Sequence, residues 1–134
     1  MEIENQNEIK QNNIENNQKN IKKQENLQQK EQNLTILYED NQIIVVVKPQ
    51  NIPSQADITG DYDMLSMVKD YIKKKYNKQG EAFIGLVHRL DRPTGGIMVF
   101  ARTSKSAKRL SEQIKNNQIE KTYYAVTTKI PVEK

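Results

Sequence analysis

The chain has 134 residues, a formal net charge of +4 and no cysteine. This length suits a single domain, and the lack of cysteine excludes disulfides and thiolate chemistry. A single histidine without clustered acids argues against a tetrahedral metal site. Residues 34–134 carry sixteen basic and eleven acidic residues, a balance that mildly favours a polyanionic partner.

Residues 1–33 differ in composition from the rest of the chain. They contain nine Asn and seven Gln but no Gly, Pro or aromatic residue. Their few apolar side chains offer too little surface to offset the entropy of ordering the segment, so we expect a disordered or fraying helical Asn/Gln-rich tail. The alternative is a coiled coil, because about one residue per heptad is apolar (Ile14, Ile21, Leu27, Leu34). The folded domain is then expected over residues 34–134.

Targeting signals are not evident in the sequence. The tail has many acids and no Arg, unlike a transit peptide, and no apolar run is long enough for a secretion signal or a transmembrane helix. We therefore expect a soluble, cytoplasmic protein with no membrane partner.

The body begins with a predicted hairpin over residues 36–40 and 43–47. The second run is β-branched and ends at Pro49, as is typical of a strand. The turn-rich residues 49–61 form the longest ordered loop that we expect, and a loop of this length in a compact domain is usually functional or mobile.

A helix is predicted over residues 64–76, with Asp61 or Asp63 as its cap. Its apolar residues fall on one face and its lysines mostly elsewhere, a pattern typical of a solvated helix face. Two short strands are expected after it, over residues 83–88 and 96–102.

The last elements are a second helix and a strand. Thr103 or Ser104 caps the helix, which ends near residue 116. The β-rich residues 119–128 form the predicted final strand. This order, ββαββαβ, predicts an α+β fold with a mixed, largely antiparallel sheet and helices packed on it.

The sequence HRLDRPTGG, residues 88–96, lies between the two short strands. Pro and the two Gly residues predict a rigid turn, and Asp91 stands in it between Arg89 and Arg92. Adjacent positive charge keeps a carboxylate ionised. From the residues alone Asp91 is either a turn residue or a catalytic group, His88 either a structural histidine or a general base, and the arginines either a surface ion pair or phosphate contacts.

Residues 88–96 resemble the HRLDxxTSG signature of the RluA-type pseudouridine synthases. The similarity continues through residues 98–113 (MVFARTSKSAKRLSEQ), residues 121–125 (KTYYA) and, upstream, residues 47–49 and 52–55 (VKP and IPSQ). Two departures are Gly95, where the family usually has Ser, and Asn51, where it usually has Gly. The resemblance implies the N-terminal part of a longer catalytic domain, whose later basic motif, which pairs with the catalytic aspartate, lies beyond this chain.

This resemblance implies isomerisation of uridine to pseudouridine in structured RNA, ribosomal or transfer, without metal or other cofactor. Asp91 would be the catalytic residue, attacking C1′ or removing the 2′ proton. Arg89 would hold the flipped nucleotide, Tyr123 would pack on the uracil, and Lys48 and Arg92 would bind RNA. The implied structural residues of the motif are His88, Leu90, Thr94, Gly95 and Gly96. Further phosphate contacts are expected from Lys105, Lys108 and Arg109.

Two other hypotheses follow from the same residues. One is a catalytically inactive, truncated or split RNA-binding remnant of the family, completed by a second chain or by self-association. The other is an interaction module whose Asn/Gln-rich tail is the functional part, a reading that leaves the four motifs unexplained.

Overall fold

The structure, a computed structural model, describes residues 2–30, 34–130 and 132, and in the first helix the side chains of residues 6–22 only. Its elements are α1 (Glu2–Lys30), β1 (Ile36–Glu39), β2 (Ile43–Lys48), α2 (Met64–Lys75), β3 (Gly85–Leu86), β4 (Gly96–Ala101) and α3 (Ser104–Lys115). The four strands form one sheet in the order β1-β2-β4-β3. Each neighbouring pair is antiparallel, so the predicted α+β class is confirmed.

The two long central strands, β2 and β4, carry the core. They pair from Ile43 opposite Ala101 to Lys48 opposite Gly96. Alternate residues of each strand are buried, as the period of a β-strand requires. Burying an apolar side chain of this size contributes roughly 1.5–3 kcal/mol. The core cluster is formed by Ile44, Val46, Met98 and Phe100 of the sheet with Met64, Met67, Val68 and Ile72 of α2 and with Ile52, Ala82, Ile84 and Leu90 of the connecting segments.

Both body helices begin at capping residues. The Asp63 carboxylate accepts hydrogen bonds from the Ser66 amide at 3.0 Å and from the Ser66 hydroxyl at 2.8 Å, so Asp63 rather than Asp61 caps α2. Thr103 caps α3, and Ser106 completes a capping box with it. Both helices were expected at these places.

Helix α3 packs closely on the short strand β3 at Gly85. A Cβ atom on Gly85 would lie 2.9 Å from the Cβ of Ala107, which is closer than real Cβ atoms approach. Glycine therefore lets α3 lie against the sheet edge, and this contact leaves the basic side chains of α3 exposed.

The predicted final strand over residues 119–128 was wrong. These residues form no regular secondary structure, and Tyr124 and Val126 are fully exposed. A strand is stable only when a neighbour pairs with it. The edge strand β3 has just two residues, and within the described part of the chain no strand pairs with residues 119–128.

The N-terminal segment is a single long helix, α1, in the structure. The side chains of residues 6–22 are exposed, including Ile14 and Ile21. The division of the chain at residue 33 falls within residues 31–33, outside the described residues, so this domain boundary stays a prediction. No described helix combines the length and the apolar character needed to cross a membrane.

A buried carboxylate joins β1 to α2 and to the end of β4. Glu39 accepts hydrogen bonds from Lys75 Nζ (2.7 Å), Tyr76 Oη (2.7 Å), Tyr71 Oη (2.8 Å) and Arg102 Nη1 (3.1 Å). Burial alone raises the pKa of Glu39, but the hydrogen bonds from Lys75, Tyr76 and Tyr71 outweigh it and lower the pKa from 4.5 to about 2. The ionised form therefore stabilises the fold.

We expect Glu39→Gln to lower the free energy of unfolding at pH 7 by about 2 kcal/mol or more, because the Arg102 side chain, 10% exposed, loses its carboxylate partner. Since the folded pKa lies below 4.5, the stabilisation by Glu39 is present above pH 4.5 and is lost as the pH falls through about 2. Chemical denaturation as a function of pH measures both effects. Exposed Glu120→Gln is the control, and equal stability of the two variants would contradict the assignment.

Candidate active site

The turn of residues 88–96 lies directly before β4. The Thr94 amide donates to the Asp91 carbonyl at 2.9 Å and closes the turn, while the side chain of Leu90 enters the core. Arg89 and Asp91 are exposed. Among the described residues, the Asp91 carboxylate forms no hydrogen bond or ion pair with another side chain, so it faces solvent at the surface of the turn.

A buried serine fixes the chain just before Asp91. The Ser54 hydroxyl donates to the Leu90 carbonyl at 2.5 Å and accepts from the Leu90 amide at 3.0 Å. Both polar groups of one buried residue are thus satisfied by a single side chain from the long loop. These bonds hold the backbone of Leu90, the residue before Asp91. The direction in which the Asp91 side chain points therefore depends on this contact.

Lys48 is fully buried and does not have the position of an RNA contact. Its ammonium donates to three carbonyls, those of Thr94 (2.7 Å), Arg92 (3.0 Å) and Pro49 (3.0 Å), which use all three of its hydrogens. Burial and the neighbouring Arg92 lower the pKa of Lys48, whereas Asp91 raises it. The predicted phosphate contact is therefore corrected to a buried support of the turn.

Arg92, which was predicted to bind RNA, has a side chain that is 36% exposed and is bonded to other residues of the protein. Its guanidinium binds Asp61 at 2.8 Å, Thr59 Oγ1 at 2.8 Å and Asp57 at 3.2 Å, all in the loop before α2. These bonds raise the pKa of Arg92, with Asp61 the largest cause. The alternative in which Arg92 belongs to an ion pair is the one that the structure shows.

The His88 side chain accepts a backbone hydrogen bond from β4 that a paired strand would otherwise accept. The Val99 amide of β4 donates to His88 Nε2 at 2.9 Å, so the imidazole is neutral with its proton on Nδ1. Burial and the charge of Lys121 lower the pKa of His88. The strand was predicted over residues 83–88, but β3 comprises only Gly85–Leu86. Beyond it, the Val99 amide of β4 is bonded by the His88 side chain and not by a strand backbone.

Backbone conformation accounts for Asn51, and a neighbouring side chain for Gly95, the two departures from the family's motifs. Asn51 has φ +66°, a left-handed conformation that Asn tolerates better than most residues, and its amide donates to the Arg92 carbonyl at 2.7 Å. At Gly95 an added Cβ would lie 3.2 Å from Gln50 Cγ, so the loop side chain would have to shift for serine. Gly96, with φ +155°, suits glycine alone.

The other residues predicted for RNA contact are exposed. Arg89 is exposed and Tyr123 is 63% exposed, in the segment that follows α3. Lys121, in the same segment, contributes after burial to lowering the pKa of His88. Lys105, Lys108 and Arg109 project from the exposed side of α3.

Three residues that hold the turn, Ser54, Asp57 and Asp61, were not predicted from the sequence to have this role. Ser54 lies in a motif that the resemblance includes, but no spacing rule shows that its hydroxyl reaches the backbone of Leu90. The contact of Arg92 with the two aspartates could have been predicted from charge. The turn-rich loop has several aspartates and the turn has two arginines, so their charges are complementary.

Replacing Lys48 separates a structural role from RNA contact. We expect Lys48→Met to lower the free energy of unfolding by about 2 kcal/mol or more, since three part-buried carbonyls lose their donor. Exposed Lys74→Met, which removes the same charge, should unfold like the wild type. Thermal denaturation measures the difference. If Lys48→Met weakens RNA binding but leaves the stability unchanged, the prediction that Lys48 contacts phosphate is supported instead.

Comparison with known proteins agrees with these motifs. The family model for RNA pseudouridylate synthase matches residues 42–134. An uncharacterized RNA pseudouridine synthase of Mycoplasma capricolum is 39% identical over 101 residues, which are 72% of this chain and 33% of that protein. Ribosomal large subunit pseudouridine synthase C of Rickettsia bellii is 35% identical over 98 residues, covering 73% of this chain and 31% of that protein.

A solved structure also matches. The human protein RNA Pseudouridylate Synthase Domain Containing 4 aligns with a TM-score of 0.53 and 26% identity, over 63% of this chain and 30% of that one. The chain thus spans about a third of the length of the curated relatives that it matches. The match over residues 42–134 includes the turn, the buried Lys48 and α3, and on this evidence the chain belongs to the RNA pseudouridylate synthase family, as an RluA-type member that comprises part of the domain.

Proposed function

We propose that the protein isomerises uridine to pseudouridine in RNA, with Asp91 as the catalytic residue. The observation that carries this proposal is the position of the Asp91 carboxylate, exposed and without a side-chain partner among the described residues, on a turn that is held from beneath. A carboxylate that must reach the sugar of a large substrate needs this combination of access and rigid support. Family membership supports the choice of reaction.

The reaction needs one carboxylate rather than two. The N1–C1′ bond breaks, the uracil turns while it stays bound, C5 bonds to C1′, and the proton of C5 is lost to solvent while N1 gains one. Asp91 either attacks C1′ to form an ester or removes the 2′ proton to give a glycal. Positive charge tends to develop at the anomeric carbon in both schemes, as it does in glycoside hydrolysis. Because the uracil is not released, no second carboxylic acid is required.

Arg89 and Tyr123 are proposed to hold the target nucleotide. The base must leave its stack to reach Asp91. Arg89 is exposed two residues before Asp91, and Tyr123 presents an exposed ring in the segment that follows α3. Stacking of a base on such a ring contributes roughly 1–3 kcal/mol. These exposures support the assigned roles.

The basic face of α3 is proposed to bind phosphates. Lys105, Lys108 and Arg109 are exposed on one helix, and its register on the sheet is fixed by Gly85. Phosphate contacts of this type orient RNA without reading its sequence. One relative is named for the large ribosomal subunit, which supports ribosomal RNA as substrate, and the sequence resemblance adds transfer RNA. The proposed place of reaction, the cytoplasm, is supported by the sequence alone.

Replacing the proposed catalytic carboxylate tests the reaction. We expect the wild type to release tritium from RNA that contains 5-tritiated uridine, and Asp91→Asn to release none. Because Asp91 is exposed, its substitution should change the free energy of unfolding by no more than about 0.5 kcal/mol. Glu81→Gln, which also removes an exposed carboxylate, should keep wild-type turnover. RNA binding without tritium release by the wild type would instead support a non-catalytic RNA-binding protein.

Two substitutions distinguish phosphate contact from stacking. Arg89→Ala should weaken RNA binding and reduce the slope of log affinity against log salt by about 1, because one phosphate contact is lost. Tyr123→Ala should weaken binding by about 1–3 kcal/mol with an unchanged slope. Exposed Lys78→Ala is the control for loss of charge. Binding is measured by filter retention at several salt concentrations, and wild-type affinity of both variants would contradict their roles.

A further inference from the structure

The Arg92 side chain connects the turn that carries Asp91 to an acidic part of the long loop. Asp61 Oδ2 accepts from both Nη1 and Nη2 at 2.8 Å, Thr59 Oγ1 accepts from Nη2 at 2.8 Å, and Asp57 Oδ2 accepts from Nη2 at 3.2 Å. The planar guanidinium thus engages three residues of a segment that lies more than thirty positions earlier in the chain.

The acidic segment also has internal hydrogen bonds that do not involve Arg92. The Thr59 amide donates to Asp57 Oδ1 at 2.9 Å, the Asp61 amide donates to Thr59 Oγ1 at 3.2 Å, and the Gly60 amide donates to the Asp57 carbonyl at 3.2 Å. Gly60 has φ +69°, and open space surrounds the position of its absent Cβ, so conformation rather than crowding favours glycine there. Three oxygens are therefore held in place for one guanidinium.

Arg92 is held at its backbone as well. Its carbonyl accepts from the Asn51 amide at 2.7 Å and from Lys48 Nζ at 3.0 Å. On the other side of Asp91, the backbone of Leu90 is fixed by Ser54. The exposed Asp91 carboxylate makes no side-chain contact of its own in the described part of the chain, so its direction is set by these two neighbours.

We propose that Asp57 and Asp61 are positioning residues for Asp91, acting through the side chain of Arg92. This inference rests on the proposed catalytic role of Asp91. The buried anchors Lys48 and Ser54 support the turn from within the protein, whereas Arg92, Asp57 and Asp61 have side chains that are 36%, 38% and 30% exposed. The clamp formed by these three residues therefore limits motion of the turn at the surface, where the buried anchors do not reach.

The clamp affects the position of Asp91 more than it affects the free energy of unfolding. Partly exposed ion pairs of this kind contribute only about 0.2–1 kcal/mol to folding. In contrast, a misplacement of a catalytic group by about 1 Å can reduce turnover about a hundredfold. The hydrogen bonds from Thr59 and Arg92 lower the pKa of both aspartates, so the clamp is ionised at neutral pH.

The charges of Asp57 and Asp61 allow a decisive test. As acids beside an RNA site they repel phosphate, so a purely electrostatic role predicts that their removal strengthens RNA binding and raises turnover. A positioning role predicts that RNA binding is equal or tighter but that turnover at saturating RNA falls. The full chain is compared with Asp57→Asn/Asp61→Asn, with Arg92→Lys, which keeps the charge but not the planar fork, and with Glu8→Gln/Glu81→Gln, which removes two acids elsewhere.

We expect tritium release at saturating RNA to fall about tenfold in the aspartate double variant and in Arg92→Lys, with wild-type turnover in the glutamate double variant. Amide hydrogen exchange gives a readout that does not need activity. The Thr94 and Asn51 amides, which bond to the carbonyls of Asp91 and Arg92, should exchange about threefold faster or more, while the Leu90 amide held by Ser54 should not change.

The two readouts separate failure of this inference from failure of the proposed function. If the wild type shows no tritium release, the isomerase proposal fails, and faster exchange at Thr94 and Asn51 in the variants still supports the clamp. If exchange at these amides is unchanged in both clamp variants, or if the aspartate double variant turns over as fast as the wild type or faster, Asp57 and Asp61 do not position Asp91.

Discussion

The buried ammonium of Lys48 is the constraint on which the turn depends. It lies at the end of β2, in the strand whose other inward side chains are apolar, and it donates to the carbonyls of Pro49, Arg92 and Thr94. A buried charge is tolerated only when hydrogen bonds replace the water it has lost. The three carbonyls therefore have to converge on one point, and this fixes the path of the chain after Asp91, whereas Ser54 holds the backbone of Leu90 before it.

The residues of the turn therefore fall into two groups: some contact the protein and hold the turn, and the others are exposed to solvent. His88, Leu90 and the carbonyls of Arg92 and Thr94 face the protein, where they meet β4, the core and Lys48. Arg89 and Asp91 lie between them in sequence and face outward. Alternation of this kind lets every inward residue be held firmly without using a side chain that the proposed reaction needs.

The fold was predictable where local sequence and tertiary contacts agree. The β-branched run of β2, the apolar stripe of α2 and the Thr103 cap of α3 each indicate their element without knowledge of the rest of the chain. The final strand was predicted from the same propensities, but a strand also needs a neighbour, and propensity does not supply one. Residues 120–130 are accordingly exposed.

The site was predictable to the level of the motif but not of each side chain. The turn, the exposure of Asp91 and the left-handed tolerance of Asn51 follow from residue types. The roles of Lys48 and Arg92 do not, because a lysine or arginine near an RNA site has the same identity whether it binds phosphate, buried carbonyls or aspartates. Only the three-dimensional contacts show that Lys48 donates to backbone carbonyls and that Arg92 donates to carboxylates of the long loop.

The contacts of Lys48 and Arg92 change the charge that the proposed RNA substrate would meet. The body has a formal surplus of basic residues, but a sum over the chain does not describe the site. Arg92 is offset by Asp57 and Asp61, and the charge of Lys48 is covered by protein. Arg89 remains as the exposed cation of the turn, with the basic face of α3 beyond it. Attraction of phosphate near Asp91 therefore depends on fewer residues than composition suggests, and the charges of Lys48 and Arg92 maintain the geometry of the turn.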